Sequence, residues 1–308
     1  MPELAGDTRL SPPPAPTRAN AMAAVVLFHP EGDLTTRLTR VLCQVAHLVV
    51  VANDGQSQQV VAALDSSRVT YLQNATNLGL AHALNQALAQ AGRAGYLWCL
   101  LLDQDTEIDA DLVEGLAETY LACPSYDSIG LLAPNYRSPG GARTAYPTDV
   151  AWQTLETAVT SGSLIPIEVV KQVGAMREDF FIEGIDVEFS LRLRAAGLQV
   201  VASGRPLMTH GAGATEERRL FGHTVLVGHH PPWRCYMQFR NLTWTLCRYR
   251  RQEPRWTRRT LVSMLKRYCI VFLFEKQSLM KAWAMLRGTW VGFVRARDTK
   301  EPGNSPEV

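Results

Sequence analysis

Residues 96–105 read YLWCLLLDQD, an apolar run that ends on two carboxylates. A short, continuous apolar run of this kind is typical of a strand buried on both faces of a parallel sheet. Similar runs are MAAVVLFH from 22, LVVVAN from 48, VTYLQ from 69 and IGLLAP from 129. Segments with helical periodicity alternate with them and begin near Leu34, Gln56, Leu80 and Asp111. The alternation predicts an α/β fold with a Rossmann-like, mostly parallel sheet flanked by helices.

The segment after the fifth apolar run is rich in glycine, proline and polar residues, which predicts a loop up to about Val150. Regular signals then return. VTSGSLI from 159 predicts a short strand broken by a turn at Ser161, Gly162 and Ser163, where small side chains let a ligand approach the backbone. Helical turns are expected over residues 167–173, and LQVVAS from 198 predicts a further strand.

Composition divides the chain into four parts. Residues 1–21 contain a proline cluster and predict a disordered lead without a signal peptide. Residues 22–247 are expected to form the catalytic domain, residues 248–297 a helical basic extension, and residues 298–308 a tail. The six cysteines are scattered and form no CxxC pair, which indicates a reducing cytoplasm.

The extension carries a strong positive charge. Residues 248–297 hold thirteen Lys or Arg against Glu253 and Glu275, with apolar and aromatic residues between the cations. Their longest uncharged run, residues 268–274, is too short to span a bilayer. This pattern favours a basic amphipathic helix on anionic lipid, which predicts a cytoplasmic protein peripheral to the inner face of the cell membrane. A helical cap on the domain and a dimer contact are the alternatives. No nucleic-acid-binding module is recognised, so no nucleic-acid partner is predicted.

Polar residues follow several of the predicted strands. In a doubly wound sheet the ligand lies beyond the carboxyl ends of the strands, which draws attention to Asn53, Asp54, Asn77, Asp103 and Asp105. Carboxylates one residue apart point to opposite faces of a straight strand, so the last two converge only if the chain turns there. If the two carboxylates converge, they could hold Mn²⁺ or Mg²⁺. If they do not, they are solvated acids of a loop.

Five segments, in this order, carry a family resemblance: NLGLAHALNQAL from 77, LLDQDT from 101, TSGSLI from 160, FFIEGIDVEFSLRLRAAG from 180 and RCYMQFRN from 234. Over roughly residues 23–250 the chain resembles the family 2 inverting glycosyltransferases of the GT-A type, and among them the bacterial rhamnosyltransferases of surface-polysaccharide synthesis. The resemblance implies transfer of a sugar, L-rhamnose or another deoxysugar, from a dTDP-sugar to a glycan or lipid-linked acceptor.

The resemblance also implies roles for single residues. Asp103 and Asp105 match the DxD motif that holds the metal and the nucleotide-sugar diphosphate. Asp186 matches the general base, His210 matches a position that completes the metal shell or contacts the diphosphate, and Arg240 lies in the last matching segment as a donor contact.

Alternatives remain for the general base. Glu183 and Glu188 compete with Asp186 for the role, and Asp186 could instead be a structural acid paired with Arg192.

The nucleotide contacts also have alternatives. Ala52 stands where the family commonly has an aspartate, so Asn53 or Asp54 must read the base. Asn77 and Gly79 are expected beneath the nucleotide, or are only helix cap and turn residues.

Two other functions compete with glycosyl transfer. A nucleotidyltransferase would need a glycine-rich basic loop after the first strand, and HPEGDLTTR from 29 is a weak version of one. A sugar-binding or scaffold protein without turnover is the second, although the intact Asp103, Asp105 and Asp186 argue against it.

Overall fold

The computed structural model describes residues 12–55, 64, 67–139, 143–211, 215–220 and 223–298. Within it the chain forms two units, which are described separately: Met1–Met176 with Arg192–His210, and Arg177–Leu191 with Gly211–Val308. The helix predicted from Gln56 lies outside the described residues.

The first unit is built on one sheet with helices. Its strands are β1 (Ala21–Leu27), β2 (His47–Ala52), β3 (Val69–Gln73), β4 (Trp98–Asp103), β5 (Glu107–Ile108), β6 (Ile129–Arg137), β7 (Trp152–Leu155), β8 (Ser163–Pro166) and β9 (Gln199–Thr209). Its helices are α1 (Leu34–Leu42), α2 (Leu80–Arg93), α3 (Leu112–Ala122) and α4 (Ile167–Val173). A fifth helix, α5 (Ile185–Ala195), begins in the second unit and ends in the first.

The strand order is β3-β2-β1-β4-β8-β6-β9-β5, and β7 pairs with β9. The predicted α/β sheet is confirmed. Strands β3, β2, β1 and β4 are parallel, whereas β8 is antiparallel to both β4 and β6. Strand β8 runs opposite to β4 because it begins near the carboxyl end of β4. There the backbone N–H of Gly162, the residue before β8, donates to the carbonyl of Leu101. The sheet is therefore parallel in its first half and mixed in its second.

The apolar runs fill the core. All seven residues of β1 are buried, and α1 packs Leu34, Leu38, Val41 and Leu42 inward at helical spacing. Asp33 caps this helix by accepting a 3.0 Å hydrogen bond from the backbone N–H of Thr36. Strands β1, β2 and β4 run parallel, so their polar carboxyl ends lie at one edge of the sheet.

The described part of the proline-rich lead packs on the sheet instead of leading away from it. The indole N–H of Trp98 donates to the carbonyl of Pro14 at 2.9 Å, and the hydroxyl of Tyr120 donates to the carbonyl of Pro13 at 2.6 Å. Buried Trp and Tyr side chains need such partners, and an extended proline segment leaves its carbonyls unbonded. Order therefore begins earlier than the sequence predicted.

The second unit contains a hairpin and three long helices: β10 (Thr215–Leu220), β11 (His223–Gly228), α6 (Pro232–Tyr249), α7 (Pro254–Phe274) and α8 (Ser278–Asp298). The extension is thus helical, as the sequence predicts. None of the described helices combines the length and hydrophobicity that crossing a bilayer requires.

Helix α8 packs closely along α6. A Cβ atom on Gly288 would lie 2.4 Å from the carbonyl oxygen of Tyr236, and one on Gly292 would lie 2.2 Å from that of Arg240. Only glycine permits this approach of two backbones. At the junction of α7 and α8, the buried carboxylate of Glu275 pairs with Arg267 and Lys281. The extension is therefore packed on α6 through α8.

Candidate functional site

The two DxD carboxylates lie where β4 ends. Strand β4 stops at Asp103 and the chain turns at once through residues 104–105, with the backbone N–H of Thr106 donating to the carbonyl of Asp103 at 3.3 Å. The turn expected for converging carboxylates is present, and the negative charge of Asp105 acts on Asp103. The two acids therefore form one anionic site.

Gln104, between the two acids, ties this turn to the end of β1. Its side-chain amide accepts from the backbone N–H of Phe28 at 2.8 Å and donates to the carbonyl of the same residue at 3.1 Å. Arg37 donates to the backbone carbonyl of Gln104 at 3.0 Å. A role for Gln104 could not be predicted from the sequence, because its partners lie 67 and 76 positions away, beyond any local signal.

The predicted turn at residues 160–163 is confirmed and supports the same site. The backbone N–H of Ser163 donates to the carbonyl of Thr160 at 3.0 Å, and Gly162 has a φ of +80°. Ser161 Oγ accepts from the backbone N–H of Asp103 at 3.0 Å and lies 2.6 Å from Thr106 Oγ1. Small residues are needed here because the turn lies directly against the end of β4.

The pKa of the Asp103 carboxyl is raised. Burial is the main cause and the charge of Asp105 adds to it, while His210 and Ser161 act in the opposite direction. His210 follows β9, where its backbone N–H donates to the carbonyl of Arg137 at 3.0 Å and its ring meets Tyr136 edge-on at 5.5 Å. Asp105 and His210 are thus both near enough to act on the charge of Asp103, and the role of His210 in the metal shell or at the diphosphate stays a prediction.

Two carboxylates of this kind fit a divalent cation that arrives with a diphosphate. Among the described residues, no group of three or more His, Cys, Asp and Glu side chains is arranged to hold a metal ion. Mg²⁺ is usually bound through one or two carboxylates plus substrate phosphates, without an all-protein cage. A cation would also relieve the repulsion that raises the pKa of Asp103. The donor set suits a shared protein–nucleotide metal site.

Asn53 links the end of β2 to the loop before α2. Its amide nitrogen donates to Asn77 Oδ1 at 3.0 Å and to the carbonyl of Gly79 at 3.2 Å, while its oxygen accepts from Asn74 and from the backbone of Leu78. These four contacts use the hydrogen-bonding capacity of the buried side chain. The structure gives Asn53 an organising role at the strand end.

The other predicted nucleotide contacts lie in the same loops. The carboxylate of Asp54 is buried and accepts from the backbone N–H of His29 at 2.7 Å. Asn77 Oδ1 accepts from the backbone N–H of Gly79 at 2.9 Å, and Gly79 precedes α2 with a φ of +93°. Gly79 is thus the N-cap residue of α2 and Asn77 stabilises the turn before it. Base recognition by Asn53 or Asp54, and nucleotide contact by Asn77 and Gly79, stay predictions.

In the second unit, Asp186 lies in the first turn of α5, directly after a loop with unusual backbone angles. Phe181, Glu183 and Gly184 have φ values of +62°, +67° and +74°. Side chains other than glycine rarely adopt this region, and such residues cluster at functional sites. The carboxylate of Asp186 accepts from the backbone N–H of Val187 at 2.8 Å.

The acids that compete with Asp186 have structural partners. Glu188 is 2% exposed and accepts from the hydroxyl of Tyr249 at 2.9 Å. Glu183 forms an ion pair with Arg234. These contacts hold the loop and its following helix in place, and the assignment of the general base among the three acids stays a prediction.

Arg240 and Asn241 of α6, here called the loop clamp, hold the backbone before Asp186. The amide of Asn241 donates to the carbonyls of Phe180, Ile182 and Glu183 at 2.8–3.0 Å. Arg240 donates to the carbonyl of Asp179 at 2.7 Å, and its Nε donates to Asn241 Oδ1 at 2.8 Å. The guanidinium of Arg240 thus has a structural role, and its predicted donor contact stays a prediction. The contacts of Asn241 were not predicted from the sequence.

Residues 25–158 match the family model described as Glycosyl transferase family 2. The match begins within β1 and includes both DxD carboxylates. The matched segment resembles a family 2 glycosyltransferase domain. The chain is 25% identical over 235 residues to the dTDP-rhamnosyl transferase RfbF of Shigella flexneri, covering 72% of this chain and 78% of RfbF. Both matches support a family 2 glycosyltransferase related to the rhamnosyltransferases.

A solved structure confirms the fold of the chain. The crystal structure of GalNAc-T7 with UDP, GalNAc and Mn²⁺ matches with a TM-score of 0.51 and 15% identity, over 75% of this chain. The match takes in 48% of GalNAc-T7, so the chain spans about half the length of that protein. At this identity the likeness shows the GT-A fold alone.

Proposed function

We propose that this glycosyltransferase moves L-rhamnose or another deoxysugar from a dTDP-sugar to a glycan or lipid-linked acceptor, with inversion, in surface-polysaccharide synthesis. The observation that carries the proposal is the turn after β4, which brings Asp103 and Asp105 together at the edge of a GT-A sheet. The similarity to RfbF, a dTDP-rhamnosyl transferase, supports the donor assignment.

Asp103 and Asp105 would hold Mn²⁺ or Mg²⁺ together with the donor diphosphate. The bound cation neutralises the diphosphate and stabilises it as a leaving group. Ser161 and Gln104 keep the two carboxylates in place through the hydrogen bonds described above. Asp54, Asn77, Gly79, His210 and Arg240 remain proposed donor contacts, with Asn53 organising the loop that carries two of them.

Asp186 is proposed as the general base. Its carboxylate takes the proton of the acceptor hydroxyl while that oxygen forms a bond to the anomeric carbon. The bond from this carbon to the diphosphate breaks on the opposite face, so no covalent enzyme intermediate is needed. The loop clamp fixes the backbone just before Asp186, and thereby the direction of the base.

The acceptor and the basic extension suggest a location. We propose that a lipid-linked acceptor is used at the inner face of the cell membrane, which a cytoplasmic enzyme reaches by peripheral contact through residues 248–297. The surplus of Lys and Arg in this segment supports attraction to anionic lipid.

Release of nucleotide diphosphate tests the reaction. Sugars of dTDP, UDP and GDP are compared, each with Mn²⁺, with Mg²⁺ and with EDTA, in the presence of an acceptor saccharide. We expect metal-dependent release from dTDP-rhamnose. Release from a different donor would overturn the sugar assignment, and metal-dependent donor binding without turnover for any acceptor would favour a scaffold.

Two variants test the residue roles. Asp186→Asn is expected to retain donor and metal binding while transfer falls by about 10²–10⁴-fold, the usual contribution of a general base. Asp105→Asn is expected to weaken both metal and donor binding. Loss of donor binding in Asp186→Asn would mean that the two roles are assigned wrongly.

A further inference from the structure

Helix α8 exposes a regular apolar stripe. Its members are Leu279, Trp283, Leu286, Trp290 and Phe293, which recur at alternating intervals of four and three residues. This spacing places them on one face of a helix. They are exposed by 74%, 69%, 55%, 68% and 44%. A contiguous exposed patch with two tryptophans is uncommon on a protein that meets only water.

The stripe is not the face by which α8 joins the fold. Met285, Gly288 and Gly292 are buried and lie on the opposite side of the helix, where the two glycines meet α6. The fold therefore uses one side of α8 for packing, and the apolar stripe is additional to what the packing requires.

Helix α7 carries a second stripe of the same kind. Leu261, Leu265 and Phe272 share one face and are exposed by 49%, 67% and 63%. The two helices pack against each other and are joined at the Glu275 ion pairs. We call the exposed apolar stripe of α8 the aromatic surface.

The charges around the aromatic surface indicate which kind of partner it binds. Residues 254–298 contain ten Lys or Arg but only two acids, Glu275 and Asp298. Glu275 is buried between two cations, so it offers nothing to a partner. A second copy of this chain would bring cations against cations. An anionic bilayer neutralises them and accepts the tryptophans at its interface, where aromatic rings concentrate.

We propose that the aromatic surface inserts among the headgroups of an anionic lipid bilayer, with Trp283 and Trp290 as its principal anchors. The proposal rests on the peripheral membrane contact proposed above, and it assigns that contact to one surface within residues 248–297. Arg258 and Arg287, both on exposed positions of α7 and α8, supply the electrostatic part of the contact.

Flotation of the full chain with liposomes tests the proposal. Vesicles of phosphatidylcholine are compared with vesicles that also contain phosphatidylglycerol, at low and high salt. We expect binding only to the anionic vesicles, weakened by salt. The double variant Trp283→Gln with Trp290→Gln is expected to lose binding by at least roughly tenfold, because each buried tryptophan contributes a large apolar area.

Trp233→Gln is the matched control, since Trp233 is 52% exposed but lies at the start of α6. It should float like the unmodified protein. Circular dichroism and transfer to a soluble acceptor should be unchanged in the double variant, so loss of flotation with retained transfer separates this proposal from the proposed function. Unchanged flotation of the double variant would overturn the proposal. So would a dimer in solution that the double variant dissociates, with no vesicle binding.

Discussion

Asn241 donates a 2.8 Å hydrogen bond from its side-chain amide to the backbone carbonyl of Glu183, three residues before the proposed base. Glu183 adopts a positive φ that its side chain disfavours, so its conformation depends on outside support. The contact joins α6, which the resemblance identified only as the end of the domain, to the loop that directs Asp186. Positioning of the base is thus a property of α6 as much as of α5.

Replacement of Asn241 is expected to affect turnover more than donor binding. Asn241→Ala removes a donor from the carbonyls of Ile182 and Glu183, and from that of Phe180, which keeps other donors. We expect this to cost about 1–3 kcal/mol of unfolding free energy. Misplacement of the base should lower kcat by roughly 10²-fold with little change in donor KM. Thr245→Val is the control, because it removes a buried hydrogen bond within the same helix. Equal kinetic losses in both variants would contradict a positioning role.

The turn below Asp103 should not tolerate a side chain at Gly162. A Cβ there would lie 2.6 Å from Met208 Sδ and 2.8 Å from Pro134 Cγ, at a φ of +80°. Gly162→Ala should lower the free energy of unfolding by about 1–2 kcal/mol for the backbone and by about 1–3 kcal/mol more for the overpacking. Gly95→Ala has nearly the same φ and open space, so it should show the backbone part alone. Chemical denaturation of both measures the difference, and equal losses would exclude the contact.

The raised pKa of Asp103 predicts how the metal-free protein responds to pH. A carboxyl that holds its proton more tightly when folded stabilises the fold below its unfolded pKa, and this stability is lost as pH rises through the folded pKa. In EDTA, Asp103→Asn should therefore gain stability relative to the unmodified protein as pH rises from acidic to neutral. Thermal unfolding of both proteins over that range is the measurement. A constant difference would show that Asp103 does not titrate as expected.

Added Mn²⁺ supplies a second comparison with the same two proteins. At neutral pH the cation should raise the melting temperature of the unmodified protein more than that of Asp103→Asn, because it binds the folded carboxylates. Equal shifts in the two proteins would place the bound cation elsewhere.

The packing of α8 on α6 predicts an unusual effect of an alanine in a helix. Gly→Ala within a helix usually stabilises it by about 1 kcal/mol. At Gly292 the new Cβ would lie 2.2 Å from the carbonyl of Arg240, a backbone atom that cannot turn aside. Gly292→Ala should therefore destabilise the protein and lower kcat by shifting the loop clamp. Gly115→Ala in α3 meets only the flexible end of Leu207, so it should cost much less, as denaturation curves will show.

The strands that pass through the core could be predicted because burial on both faces demands continuous apolar sequence. Strand β4 even ends at the residue where its apolar run meets Asp103. Strand β7 could not be found in this way. It lies at the end of the polar stretch, exposes part of its surface, and is a strand only because β9 offers it a free edge. Whether such a segment forms a strand depends on the neighbouring strand with which it pairs, and the local sequence carries no information about that neighbour.

The site shows the same division. The roles proposed for Asp103, Asp105 and Asp186 could be inferred from residue type and motif, whereas the residues that orient these segments are amides and hydroxyls without a sequence pattern. Asn241 contacts carbonyls 58–61 positions away, and Ser161 meets Asp103 across 58. The link that Asn53 makes between the end of β2 and the loop before α2 could not be predicted for the same reason, and its nucleotide contact stays a prediction. Only the three-dimensional structure shows which polar side chains are needed as hydrogen-bond partners of the backbone.

Helix α8 separates two surfaces by its own thickness, about 10 Å. Its glycines rest on Arg240 of the loop clamp, and its tryptophans face the other way. If the tryptophans lie at the headgroups, the base loop is held at a nearly fixed height above the lipid. The distance between the base and the bilayer would then restrict which acceptor hydroxyls can react. Hydroxyls on the first sugars of a lipid-linked chain would be favoured over those farther from the lipid. A short acceptor presented on vesicles should accordingly outperform the same saccharide lengthened by several residues.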